Sequence, residues 1–348
     1  MKKRVTLQVI ADKVGVTKAT VSMALRNHSR ISESTQLKVK EVAERLGYRP
    51  DPALAALVSH TSRVRRKRNK KVHYGTFAYL CPDSKLPNRK TSTFHERRFE
   101  GIMSRAETLG YHVEIFPLQE KNLAKELKRT CSVLYHRGFT GVVLQAGVGT
   151  DLPLEHIEHF AWVTLGYSVE TPKLHVIAPD YGRQMLETCQ IALDRGYRRL
   201  GYVCVENSKS DTAKNWEAHF VLAQQSLFKK DRLPILCVDE LDGDILKMWI
   251  QSWKPDCIIS SINKIMKWND VYSLNIPKRL GFLSLNAGIH ASGFGKVSGV
   301  SQRPYAIGMA AIDVLHRAIL ANDLGIPEIR KIVMIDPDRV DGKTICSH

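Results

Sequence analysis

The chain of 348 residues lacks the short motifs around which many enzymes are built. No G-x-S-x-G or H-E-x-x-H occurs, and the 13 histidines are scattered, which argues against nucleophile-elbow hydrolases and helical zinc proteases. No G-x-G-x-x-G follows the first strand-like run. Gly147-Val148-Gly149 has no third glycine, and Gly293-Phe294-Gly295-Lys296 lacks the spacing of a phosphate loop. No enzyme activity and no cofactor are therefore expected. The seven cysteines form no C-x-x-C pair, and several stand in apolar runs such as Val203-Cys204-Val205. Free, buried and reduced thiols are expected, not a metal site. No run of about eighteen apolar residues is present, and Met1-Lys2-Lys3-Arg4 leads into the first helical pattern without a signal-type stretch. A cytoplasmic protein without a membrane partner is expected.

What the chain does have is positive charge, and it is unevenly placed. Of the net +17, residues 1–71 carry +13, with 18 Lys and Arg against 5 Asp and Glu. Residues 63–71 alone hold seven basic residues in nine. A solvated face usually mixes both signs, so polarisation of this degree points to phosphate backbone. The basic run itself reads as a linker, because so much like charge cannot pack.

The same basic region opens with a helical pattern. Leu7, Ile10, Ala11 and Val14 fall at i, i+3, i+4 and i+7, with Thr6 as a capping candidate and Gly15 as the stop. Thr17 is the next cap, and Val21 and Leu25 give a second short helix its apolar side. A third helix reads from Ser32 through Leu37, Val39, Val42, Ala43 and Leu46 to Gly47. Two short helices across a tight glycine turn make a helix-turn-helix, whose second helix enters the DNA major groove. Lys18, Ala19, Thr20, Ser22 and Met23 lie on the side of that helix away from Val21. Lys18 can bond guanine O6 and N7, while Ala19 and Met23 offer apolar contact to a thymine methyl. Thr6, Thr17, Ser22, Arg26 and Asn27 suit phosphate contacts that fix register. Further on, Asp51 and Pro52 can start a short helix through Ala53-Leu54-Ala55-Ala56-Leu57.

Beyond Tyr74, short apolar runs alternate with helical stretches: 74–80, 113–116, 141–144, 162–165, 200–205, 235–238, 256–260 and 280–285. This alternation predicts parallel sheets with crossover helices, and eight runs over about 265 residues suggest two doubly wound lobes. Ligands of such sheets bind at the carboxyl ends of the strands.

Residues 5–57 resemble the headpiece and hinge of the lactose-repressor (LacI/GalR) family of bacterial transcription regulators. The resemblance rests on Thr6-Leu7, Ile10-Ala11, Gly15-Val16-Thr17, Thr20-Val21-Ser22, Ile31-Ser32, Gly47-Tyr48, Pro50 and Leu57. It implies an N-terminal all-α helix-turn-helix headpiece plus an α/β periplasmic-binding-protein-like core of two doubly wound parallel-sheet lobes. The corresponding domains are a headpiece at 1–50, a hinge helix at 51–59, a basic linker at 60–72 and an effector-binding and dimerisation core at 73–348. A homodimer without the tetramer-forming leucine heptads would bind a palindromic double-stranded operator, Lys18, Ala19 and Met23 would read bases, and Leu57 would wedge into the minor groove.

In the core, the resemblance implies effector contacts at Phe94, Asp180, Thr212, Trp216, Asn263, Asn286 and Gln302. Thr212 stands where sugar-binding members carry an arginine, and Asn263 and Asn286 where they carry acids. The effector, a small molecule with carbohydrate as one class, is thereby left open, as is its existence. The expected function is a sequence-specific DNA-binding transcription regulator, a repressor; an effector-independent architectural DNA-binding protein is the alternative, and a ligand-binding or sugar-processing protein with an incidental headpiece a more distant one.

Overall fold

The computed structural model describes residues 6–25, 31–46, 75–87, 94–145, 151–152, 155–205, 211–288 and 296–346. These fall into two compact units. The first contains helices α1 (Leu7–Val14), α2 (Lys18–Ala24) and α3 (Glu33–Arg45). Ile10 and Ala11 of α1, Val21 and Ala24 of α2 and Val39 and Ala43 of α3 close a small core. Gly15 ends α1 at φ 75°, its N–H and that of Val16 both reaching the Ala11 carbonyl. A Cβ there would meet nothing within 4 Å, so the glycine is required by the left-handed backbone and not by space. Leu37, expected on the apolar side of α3, is instead 67% exposed. It stands two residues from Val39, so the turn of the helix carries it off the packed stripe.

The second unit contains two six-stranded sheets. In chain order its elements are β1 (Gly75–Pro82), α4 (Phe94–Leu109), β2 (Tyr111–Leu118), α5 (Leu123–His136), β3 (Gly141–Leu144), β4 (Ala161–Leu165) and β5 (His175–Pro179). Then follow α6 (Tyr181–Asp194), β6 (Leu200–Val205), α7 (Asp211–Gln224), β7 (Leu236–Val238), α8 (Gly243–Trp253), β8 (Cys257–Ser260), the single turn α9 (Trp268–Val271) and β9 (Gly281–Ser284). The chain continues through β10 (Gly299–Ser301), α10 (Pro304–Ala321), β11 (Ile332–Ile335) and β12 (Asp338–Val340). The first sheet has the order β11-β5-β4-β3-β1-β2 and the second β12-β10-β9-β8-β6-β7. All pairings are parallel except β10 with β12. Strands β3, β4, β5, β8 and β9 are buried along their whole length, the consequence of helices on both faces and the reason these strands read as unbroken apolar runs.

The chain passes between the lobes three times: at 179–181, at 301–304, and at 335–338. The passages are tied to one another. Asp180 N–H donates to the Ile335 carbonyl at 3.0 Å, and Arg183 lies 3.6 Å from Asp336. Helix α10 is the one described helix long and apolar enough to span a membrane by length and composition. Its Ile307, Ala311, Ile312 and Leu315 are fully buried, however, and Asp313 pairs with Arg105 at 2.7 Å, as in a core helix. Every described cysteine is free, five of them buried; Cys237, against expectation, is exposed on the edge strand β7.

Candidate nucleic-acid interface and ligand cleft

In the headpiece, α2 is only seven residues long, too short to persist alone, and is held by its cap and by α1 and α3. Thr17 accepts from the Thr20 N–H at 3.1 Å, and the two hydroxyls lie 2.8 Å apart. With 100° per residue, Val21 and Ala24 point to the core, while positions 18, 19 and 23 fan over the opposite arc. Lys18 and Ala19 are exposed and Met23 is half-buried, so a lysine and two apolar groups form one edge available to a partner. Thr20 is half-buried and committed to the cap. Ser22 belongs to α2. Thr6 is exposed at the start of α1, but its side chain makes no capping bond; the helix start is marked by its extended backbone alone. Arg26, Asn27 and Leu57, the hinge at 51–59 and the basic stretch at 60–72 lie outside the described residues.

The second lobe gathers three of the expected ligand residues. Asn263 follows β8, Asn286 follows β9 and Gln302 follows β10, all at carboxyl ends of strands. Ser284 Oγ donates to Asn263 Oδ1 at 2.6 Å and accepts from the Asn286 N–H at 2.9 Å. Gln302 Nε2 donates to Asn286 Oδ1 at 2.5 Å, and Asn286 Nδ2 is 3.4 Å from the Ser261 carbonyl. The result is a connected, uncharged row of amides and a hydroxyl.

Two other expected residues carry structural bonds. Trp216 is only 7% exposed, packs in the second lobe's core and donates Nε1–H to Gln184 Oε1 at 3.0 Å. It stands one turn before the fully buried Phe220, so the helical stripe that buries Phe220 carries Trp216 inward as well. Its ring meets that of Tyr181 edge to face, the centres 5.6 Å apart. Asp180 caps α6 through Oδ1, 2.9 Å from the Arg183 N–H; half-buried, it is a structural carboxylate first. Thr212 bonds the Tyr181 hydroxyl, whose ionisation burial pushes upward in pH.

On the first lobe, Phe94 is half-buried at the start of α4, with the Arg98 guanidinium 5.0 Å from its ring centre. Arg98 belongs to a cluster absent from the sequence-based expectations. Its Nη2 reaches Gln145 Oε1 at 2.5 Å and His95 Nδ1 at 3.1 Å. Tyr79 donates to Gln145 Oε1 at 2.7 Å, and Gln145 Nε2 lies 2.9 Å from His95 Nδ1. Burial pushes His95 down to about 4, with Arg98 and Lys85 adding to the effect, so its ring is neutral near pH 7. One signal was available in the sequence: Arg98, Ile102 and Ala106 fall at i, i+4 and i+8, which places a guanidinium on a core stripe.

A cavity of about 260 Å³ opens where α4 meets the passage into α10, lined by Arg97, Gly288, Ser301, Arg303 and Tyr305 among others. None of the expected effector residues lines it. Arg303 holds a left-handed backbone, φ 50°, with its N–H on Ser301 Oγ at 3.2 Å.

Comparison with known proteins bears on both regions. Residues 6–51 match the model of bacterial regulatory proteins of the lacI family. Catabolite control protein A of Priestia megaterium is 26% identical over 204 residues, 57% of this chain and 54% of that protein. The transcriptional regulator GntR of Escherichia coli K12 is 47% identical over 63 residues, covering 18% of this chain and 19% of GntR. The chain thus spans about half the length of the first of these relatives and less of the second. Among solved structures, the lac repressor dimer bound to operator and an anti-inducer aligns with a TM-score of 0.57 at 15% identity, covering 98% of this chain and 99% of that one. A regulator CelR–cellobiose complex aligns at 0.58 and 14% identity, covering 98% and 100%. At such identities the structural likeness concerns the fold: a helical headpiece joined to two parallel-sheet lobes. The curated relatives named here are transcription regulators, not enzymes.

Proposed function

We propose, from the match of residues 6–51 to the lacI family of bacterial regulatory proteins, that the chain is a sequence-specific transcription repressor of that family, acting as a homodimer on a palindromic operator in the cytoplasm. The observation that carries this is α2: capped by Thr17, anchored by Val21 and Ala24, and presenting Lys18, Ala19 and Met23 together. In this reading Lys18 bonds a guanine, and Ala19 and Met23 meet thymine methyls. Thr6, Thr17, Ser22, Arg26 and Asn27 fix register on phosphates, and Leu57 opens the central base step from the hinge at 51–59. The basic stretch 60–72 adds phosphate contact and steepens the dependence on salt. A two-fold dimer suits a palindrome because each half-site then meets the same surface.

Control by a small molecule is the second part of the proposal. The amide row Asn263–Ser284–Asn286–Gln302, with Phe94 and Thr212, supplies neutral donors, acceptors and an aromatic edge suited to a polyhydroxylated ligand. Ligand and operator then favour different arrangements of the lobes, which is all that coupling requires.

The test is selection from a library of palindromic duplexes at two salt concentrations, with the intact protein and with Lys18→Ala and Leu57→Ala. Enrichment of one palindrome, with relaxed preference at one base pair for Lys18→Ala, supports the reading. Tight binding with no preference, unchanged by either substitution, overturns it in favour of an architectural DNA-binding protein.

A further inference from the structure

The first lobe buries the charge of a guanidinium. Arg98 is 4% exposed, and among the described residues no carboxylate lies within ion-pair distance of it. Its neighbours are Gln145, His95, Tyr79 and the Phe94 ring. None supplies negative charge: Gln145 is an amide, His95 is neutral at pH 7, and burial raises the pKa of Tyr79 well above its usual value. The guanidinium Nε is buried with no hydrogen-bond partner. Guanidinium does not shed its proton inside proteins, so the site keeps a full positive charge and a buried donor without a partner.

Such an arrangement is costly by itself, because a buried ion needs both a counter-charge and saturated hydrogen bonds. It also stands in the right place for a ligand. Arg98 lies in the first turns of α4, Tyr79 is in the last half of β1, and Gln145 directly follows β3, so the cluster caps the carboxyl ends of the first lobe's strands. That is where doubly wound sheets bind ligands. Tyr181, at the first passage between the lobes, is near enough for its phenol and Arg98 to influence one another electrostatically.

We infer that Arg98 is the anchor for an oxyanion, a carboxylate or phosphate group, on the molecule that binds between the lobes, with Gln145 and His95 orienting the guanidinium. The inference rests on the reading of the cleft as an effector site and names the class of effector: an anionic one, its charged group on the first lobe and its hydroxyls on the amide row of the second. The two faces divide the chemistry. A guanidinium fork selects the anion, and neutral amides suit the uncharged remainder of the ligand.

The experiment is thermal denaturation of the full chain at pH 7.5 and constant ionic strength, in chloride, inorganic phosphate or acetate. It is run on the wild type, Arg98→Met and Arg98→Lys. In the wild type, phosphate or acetate at tens of millimolar is expected to raise Tm by about 2–4 °C over chloride. Arg98→Met should show less than half that rise, and Arg98→Lys, which keeps the charge but not the fork, an intermediate one. A larger response to phosphate assigns a phosphate group, and a larger response to acetate assigns a carboxylate. Equal anion responses in wild type and Arg98→Met overturn the inference, since phosphate on the basic headpiece would act on both alike; so does the absence of any response in the wild type. Should Arg98→Met fail to fold, the comparison of wild type with Arg98→Lys decides, an undiminished response in Arg98→Lys counting against the fork. Selection of operator DNA is measured separately on the same proteins. Loss of operator preference with an Arg98-dependent anion response sinks the repressor reading alone, and the converse sinks only the anion site.

Discussion

The two lobes wind their strands in the same order, yet they finish the strand ends with opposite chemistry. Each lobe runs 2-1-3-4-5 from its own first strand and takes a sixth strand from the far end of the chain, parallel in the first lobe and antiparallel in the second. In the second lobe the ends carry neutral groups that satisfy one another, from Asn263 through Ser284 and Asn286 to Gln302. In the first they carry a buried cation, a neutral histidine and an orphaned Nε. A shared topology therefore dictates where polar groups converge and leaves their charge free to vary. The second lobe is built to be stable when empty, and the first to be completed by something else.

Trp216→Ala should test how separately the lobes hold. It removes a ring from the second lobe's core and strands the Gln184 amide, a loss of about 3–5 kcal/mol. Hydrogen exchange should accelerate in β6 and β8 and hold in β1 and β3. Equal acceleration in both sheets would mean that the lobes melt as one unit and would erase the distinction.

Acidification should instead strike the first lobe. His95 titrates at about 4 in the folded protein, below the ordinary 6.5, so the unfolded chain binds the extra proton first. The stability contributed is full above about 6.5 and is lost as pH falls through the folded value near 4, by on the order of 2–3 kcal/mol for one group. Unfolding in urea at pH 7 and pH 4.5, wild type against His95→Gln, reads the difference. An identical pH slope in the two proteins would contradict the buried neutral imidazole.

Gln302→Ala opens the amide row and leaves Asn286 Oδ1 without its 2.5 Å donor. About 1–2 kcal/mol should be lost, measured in the same urea transition, and the effect should be insensitive to pH between 4.5 and 7. A loss that follows pH would bring charge into a row read here as neutral. The smallest effect lies in the headpiece, where Thr17→Ala removes the side chain that caps α2 and should cost about 1 kcal/mol. Its signature is lower helix content and weaker DNA binding with an unchanged transition of the large unit. A shifted transition there would mean that Thr17 serves more than its helix.

Periodicity made the frame legible. The stripe Leu7–Ile10–Ala11–Val14 and the eight apolar runs correspond to α1 and to β1–β4 and β6–β9, because burial on both faces of a parallel sheet leaves a contiguous signal. Strand β5, His175-Val-Ile-Ala-Pro, opens on a polar residue and ends on proline, and was not among the runs. Strands β10, β11 and β12 are three or four residues long, two of them at sheet edges with exposed side chains, too short to stand out as apolar runs. For the site, Asn263, Asn286 and Gln302 do converge. The burial of Trp216 is not legible in the sequence, because the composition of a stripe does not tell which lining is open. The Arg98 cluster could not be assembled from sequence, since Tyr79, His95, Arg98 and Gln145 meet only through packing.

The three passages between the lobes have a consequence for the order in which the protein can be made. Strands β1 to β5 lie within residues 75–179, but their sheet has its sixth member at 332–335, and α10, whose Gly308 sits against the Arg98 carbonyl, begins only at residue 304. During synthesis from the N-terminus, the whole second lobe except β12 emerges while the first still lacks that helix and edge strand. The lobe translated first is therefore completed last, after the strands β6 to β10 of the other have been made.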